Sequence, residues 1–267
     1  MSRTARLTLL ALTLVLLCGC ATLPRDAKRD PRDPWERVNR TTFKVNHALD
    51  KAIARPVAET YQKVTPRLVR TGVSNFFDNL SYPVTVVSDL LQLKFKPFVQ
   101  DTGRFLINST AGIGGIFDPA TSAGLPKNEE DLGLTLGHWG VKPGPYFVIP
   151  ILGPSDVRDG VGRVGNIWLN PLHYVDNNYV VYSLAGVGLV DLRYRLLPLD
   201  AQLDQAYDPY ALMRNAYLDR RAFLVEDGKL SDKERAEQEQ KQYEEEQKII
   251  EESGGENPPP EAPKPPK

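Results

Sequence analysis

Residues 66–80, Pro66-Arg67-Leu68-Val69-Arg70-Thr71-Gly72-Val73-Ser74-Asn75-Phe76-Phe77-Asp78-Asn79-Leu80, decide the fold. Val69, Gly72, Val73, Phe76, Phe77 and Leu80 recur at three- and four-residue steps, the spacing that lines one face of an α-helix with apolar side chains. A proline opens the stretch, where its missing N–H costs nothing. Tyr82-Pro83 closes it and starts the next piece, which carries Val84, Val87, Leu90 and Leu91 toward Phe95.

The same pattern repeats on either side. Asp33-Pro34-Trp35-Glu36 reads as an N-cap followed by a proline in the first turn, opening a helix with Val38, Val45, Leu49 and Ala52. Pro56 opens a piece with Val57, Tyr61 and Val64, and Pro97 one with Phe98, Thr102, Phe105 and Leu106. Ser155 reads as the cap of a helix through Val157, Val161 and Val164, Asn128 to Asp131 as the acidic first turn of a short helix, and Asp208-Pro209 as the start of the last one. Tyr179 to Leu192 has only Ser183 and Asp191 as polar residues. A helix apolar all round is buried or faces lipid. Fourteen residues fall short of the roughly 20 that cross a bilayer. The sum is an all-α domain of short helices with proline corners.

Two stretches break the pattern. Residues 108–125 hold Gly112, Gly114, Gly115, Gly124 and Pro119 around Ile113, Ile116 and Phe117. Glycines in such a run let the backbone approach a neighbour closely, for a structural turn or a functional one. Gly140-Val141-Lys142-Pro143-Gly144-Pro145 reads as a stiff loop, and Tyr146 to Gly153 as an apolar run in which Pro150 argues against a central strand.

At the N-terminus, Arg3 and Arg6 precede an apolar run, Leu7 to Leu17, broken only by Thr8 and Thr13. A basic start, a short apolar core and small residues make a secretory signal. Leu17-Cys18-Gly19-Cys20 looks like a bacterial lipobox, in which the second cysteine is lipidated and becomes the new N-terminus. Residues 1–19 are therefore expected to be removed, and a lipidated Cys20 to hold the chain on a membrane, since two acyl signals give stable attachment. Ala21 in place of aspartate favours the outer membrane. Residues 20–32 read as a polar tether, 33–228 as the domain, and 229–267 as an acidic, proline-rich tail, helical or disordered.

The chain has 267 residues and a net charge of −1, which hides a split. Residues 226–267 hold 13 acids against 7 bases, leaving +5 on residues 1–225. That is too little to argue for nucleic acid. With Cys18 in the signal and Cys20 lipidated, no thiol remains for a disulfide, a metal or a nucleophile. The three histidines, His47, His138 and His173, are scattered; there is no G-x-S-x-G elbow, no H-E-x-x-H and no phosphate loop. The residues imply no enzyme, no cofactor and no metal.

The order of several blocks then identifies the chain as similar to a known family. They are Asp33-Pro34-Trp35-Glu36 with Asn39-Arg40 and Phe43; Gly72 to Leu80; Arg104 to Thr110 with Gly112 to Asp118; Asp131 to Val141; Gly144 to Pro150; Leu152-Gly153-Pro154-Ser155; Arg158-Asp159; and Asp208-Pro209-Tyr210 with Arg214 and Tyr217. Together they resemble the MlaA (VacJ) outer-membrane lipoproteins over about residues 33 to 228.

The resemblance implies a ring of helices in the periplasmic leaflet around an amphipathic pore. Misplaced outer-leaflet phospholipids pass through it to a soluble periplasmic carrier (MlaC-like), with ATP spent elsewhere and a trimeric porin alongside. It also implies a mobile hairpin, assigned to Val141 to Leu152 with Gly140 and Gly144 as hinges, so that Val141, Tyr146, Val148, Ile149 and Leu152 are expected at the pore. Gly112, Gly114, Gly115 and Phe117 are expected near it. Arg104 and Arg158 lie in matched blocks, with two readings: contact with a phosphate headgroup, or internal ion pairs. Two other functions stand beside lipid transport: a lipoprotein that only tethers partners, and a lipid hydrolase, for which no catalytic constellation speaks.

Overall fold

The computed structural model describes residues 30–227. The signal peptide, Cys20, all but the last three residues of the tether, and the tail lie outside the described residues. The chain divides after Tyr217 into two compact units. The account below concerns the first.

Helix α1 (Glu36–Leu49) runs through a π-helical segment (Asp50–Ala54) into α2 (Arg55–Val64). Then come α3 (Arg67–Leu91), α4 (Phe95–Thr110), the single turn α5 (Pro119–Ser122) and α6 (Leu132–His138). A hairpin follows, β1 (Tyr146–Ile149) and β2 (Gly153–Asp156), antiparallel, with Tyr146 opposite Asp156 and Ile149 opposite Gly153. Helices α7 (Val157–Leu169), α8 (Asn178–Leu196), α9 (Asp200–Gln205) and α10 (Pro209–Val225) complete it, with short 3-10 turns at Pro171–Tyr174 and Leu197–Leu199. The fold is all-α apart from that hairpin. Among the described residues no helix is long and apolar enough to cross a membrane.

Four local expectations are corrected. Pro83 does not end a helix: it lies inside the 25-residue α3. A proline there costs about 3 kcal/mol, and the packing of Tyr82, Val84 and Thr85, all buried on either side of it, offsets that cost. Asp33 does not cap α1, whose N-cap is Trp35; it is buried and bonded to Asn39, Tyr210 and Arg214 instead. Asp156, not Ser155, caps α7, accepting from Asp159 N. Asn128 to Glu130 are not helical; Asp131 alone serves as the N-cap of α6. Pro150 sits in the turn, just past the end of β1, where its missing donor breaks no ladder bond.

Among the described residues the interior is unusually polar. Ten apolar side chains are buried, against nineteen polar or charged ones, so hydrogen bonding rather than apolar contact does much of the joining. Between α3 and α4 lie Asp89 and Asp101, both almost fully buried, bridged by Asn128 Nδ2 at 3.3 and 3.1 Å. Burial, the hydrogen bond between the two carboxyls and the charge of Asp101 push Asp89 up to about 8. Glu130 beside them is paired with Lys94 at 2.8 Å and accepts from Gln92 at 2.7 Å. Near the end of α8, Arg193 joins Asp50 of the π-helical segment to Asp200 of α9, and Arg55 pairs with Asp200 and Asp204.

Many large apolar side chains are exposed. Along α8, Tyr179, Val180, Tyr182, Val187, Leu189 and Leu192 are exposed while Asp191 is fully buried. Of the two readings of this helix, its apolar residues therefore face outward. Val38, Val45, Leu49, Ile53, Val57 and Val64 extend the same character along α1, the π-helical segment and α2.

Candidate functional site: an apolar cavity beside a glycine corner

A cavity of about 520 Å³ opens between α3, residues 116–118 and α8. Val69, Gly72, Val73 and Phe76, the stripe that predicts α3, face it rather than a packed core. Leu184 and Val187 of α8 close the far side. Two glycines set the width. A Cβ on Gly72 would lie 3.1 Å from Ile116 Cγ2, and one on Gly188 would lie 3.0 Å from the Phe77 ring.

Phe117 and Ile116 enter from a corner that the glycines make possible. After α4 the chain turns back on itself, with Gly114 N bonded to Ser109 O at 3.0 Å, Gly115 N to Asn108 O at 2.8 Å and Phe117 N to Gly112 O at 2.9 Å. Gly115 adopts φ +91° and its missing Cβ would collide with Asn79 Cβ at 2.4 Å. At Gly112 a Cβ would lie 2.4 Å from Asn108 O and 2.5 Å from Phe117 O. Gly114 has φ +67° with open space around it. Gly112, Gly114 and Gly115 therefore shape the wall, and Phe117 is the one predicted residue of this group that lines the cavity.

Arg104 sits beneath the corner. Its Nη2 donates to both oxygens of Asp118 at 2.8 Å and to Thr121 Oγ1 at 3.1 Å, and its Nη1 to Leu125 O. Burial alone would raise the Asp118 carboxyl, but hydrogen bonds from Thr121 and Asn108 and the charge of Arg104 hold it down at about 2. Arg104 is 1% exposed, and Arg158, also buried, pairs with Asp159 at 3.1 Å and Asp156 at 3.9 Å. The headgroup reading of these two arginines is corrected: both guanidinium groups are turned to internal carboxylates.

The hairpin residues divide. Tyr146 and Val148 are buried and pinned to α1. Asn39 donates to Tyr146 O at 3.1 Å and accepts from Val148 N at 3.0 Å; Asn46 donates to Ile149 O at 2.9 Å and accepts from Ile151 N at 2.9 Å. Tyr146 N donates to Arg32 O at 2.9 Å. The pore expectation for Tyr146 and Val148 is corrected by this burial. Ile149 is half-buried, while Val141 and Leu152 are exposed, and none of the five lines the cavity. Gly140 and Gly144 both have positive φ, +86° and +72°.

No local motif marks the cavity in the sequence. The one signal available is that α8 lacks any polar face, so one of its sides needed an apolar counterpart. Among the described residues no group of three His, Cys, Asp or Glu side chains is placed to hold a metal.

Among the described residues, a polar interior, many exposed apolar side chains and an apolar cavity are the marks of the class of lipid-facing proteins. Residues 31–224 match the MlaA lipoprotein family, and the chain belongs to it. It is similar to the Escherichia coli K12 protein named intermembrane phospholipid transport system lipoprotein MlaA, 36% identical over 86% of this chain and 92% of that one. The Haemophilus influenzae protein of the same name is 32% identical over 82% of this chain and 90% of its own. An uncharacterized Rickettsia felis protein is 41% identical over 69% of this chain and 74% of its own. A solved structure from work on the maintenance of bacterial outer-membrane lipid asymmetry superposes with a TM-score of 0.67 at 34% identity, covering 74% of this chain and all of that one.

Proposed function

We propose that this protein is an outer-membrane lipoprotein that moves phospholipid between the outer membrane and the periplasm. The names of its relatives support the class of cargo, and one observation carries the mechanism: the apolar cavity between α3, Phe117 and α8 in a domain that also exposes many large apolar side chains. Exposed aliphatic side chains on helices none of which is both long and apolar enough to cross hold the domain in one leaflet. The cavity gives acyl chains a place out of water, worth about 0.8 kcal/mol per methylene. Lipidated Cys20 delivers the chain to the periplasmic leaflet. Lipids misplaced in the outer leaflet descend along the cavity and leave to a soluble periplasmic carrier, with a trimeric porin as neighbour. Movement is confined to the loop from Gly140 to Gly144, because the strand beyond it is pinned by Asn39 and Asn46.

A deletion strain should accumulate phospholipid in the outer leaflet, and the intact gene should reverse it. Val187→Trp, which fills the cavity from an exposed position, should reach normal protein levels and fail to restore the barrier. Full restoration by that variant would instead support a tether that moves no lipid, since tethering needs no cavity.

A further inference from the structure

A lipid that fills the cavity brings a phosphate to its edge, and the lining offers one charged residue, Asp118. That carboxylate is already engaged by Arg104, Asn108 and Thr121. A chain of charge leads outward from it. Lys127 Nζ lies 3.7 Å from Asp118 Oδ2 and 3.4 Å from Asp78 Oδ2. The other Asp78 oxygen accepts from Arg195 Nη1 at 2.6 Å. Arg195 Nε is 3.0 Å from Asp191, which in turn accepts from Ser74 Oγ at 2.8 Å.

These cations differ from the buried arginines in one decisive respect. The Lys127 side chain is 51% exposed and that of Arg195 37%, and they share Asp78, itself 33% exposed. Both contacts of Lys127 are long, so neither holds it tightly. An exposed pair of this kind contributes little to stability, about 0–1 kcal/mol. It can therefore be exchanged at small cost for an anion that offers more acceptor oxygens, and a phosphodiester oxygen pair suits a guanidinium and an ammonium together.

Resting on the reading of the cavity as a phospholipid path, we infer that Lys127 and Arg195 form a phosphate-selecting rim, with Asp78 as the resident counter-ion that a lipid phosphate displaces. The acyl chains occupy the cavity, the phosphodiester bridges the two cations, and the Asp78 carboxylate turns to water. Selection is for phosphate rather than for a particular headgroup, because no further charged side chain lines the cavity.

The test uses the full-length lipoprotein in dodecyl maltoside, with photoactivatable phosphatidylethanolamine and the matching diacylglycerol, and reads the ratio of the two crosslinking yields. The unaltered protein should favour the phospholipid by about tenfold. Lys127→Gln with Arg195→Gln should bring the ratio near one while diacylglycerol labelling persists, and Lys127→Arg should keep the preference. Asp78→Asn, which removes the competing carboxylate, should raise it. An unchanged ratio in the double variant, or equal labelling by the unaltered protein, overturns the rim and leaves the cavity standing. Absence of labelling by either lipid in the unaltered protein overturns the cavity reading, and the rim falls with it.

Discussion

The glycine corner at 112–118 and the hairpin loop at 140–144 look alike on paper, each a glycine-rich break between regular elements, yet their glycines answer to different forces. At Gly112 and Gly115 the constraint is space: other atoms stand 2.4 Å from where a Cβ would be. At Gly140 the constraint is conformation alone, for nothing lies within 4 Å. Gly144 falls between, with Val157 Cβ at 3.2 Å. A corner whose glycines are crowded is a fixed wall. At Gly140 a left-handed backbone, and not a neighbour, is what calls for glycine.

That contrast can be broken in a graded series. Gly115→Val should be the most damaging change, because it adds a β-branched side chain at positive φ against Asn79. A loss of about 4 kcal/mol is expected from overpacking plus backbone strain, read by denaturant unfolding. Asn39→Ala should follow at about 3 kcal/mol, since it takes the amide from Tyr146 O and Val148 N and removes one of the three groups bonded to Asp33, which keeps Tyr210 and Arg214. A loss below 1 kcal/mol would mean that the hairpin is not held by α1.

The buried acid pair supplies a third measurement. The folded-state value of Asp89 is raised above its unfolded one, so folding favours the protonated form. Its stabilisation is complete below pH 4 and is lost as pH rises toward 8. Unfolding free energy should therefore fall by about 2 kcal/mol more between pH 5 and 8 in the unaltered protein than in Asp89→Asn; parallel curves would refute it. Gly140→Ala should be mildest, about 1 kcal/mol, for strain without collision. If Gly140→Ala impairs the barrier more than its small stability cost explains, the loop has to move.

Much of the fold is legible in the residues. Pro56 and Pro209 stand in the opening turns of α2 and α10, where the sequence reading starts those helices. Local reasoning fails where a distant partner outbids a local preference. Asp33 reads as a cap because its neighbours suggest one, but Tyr210 and Arg214, far along the chain, take its carboxylate. Pro83 reads as a break because nothing nearby reveals how tightly α3 is packed there. The site is less legible. The matched arginines are conspicuous and turn out internal, whereas Lys127 and Arg195 carry no motif and are joined only when the loop before α6 and the end of α8 meet at Asp78 of α3.

The asparagine contacts on β1 have one more consequence. A two-stranded sheet leaves open edges, and an open edge recruits another strand in water and strands unpaired peptide groups in hydrocarbon, at several kcal/mol each. Asn39 and Asn46 lie seven residues apart on α1, two turns along one face, and each amide both donates to and accepts from the strand backbone. They stand in for a third strand. The outer edge of β1 is thus covered without a third strand, because a helix has lent its side chains as backbone.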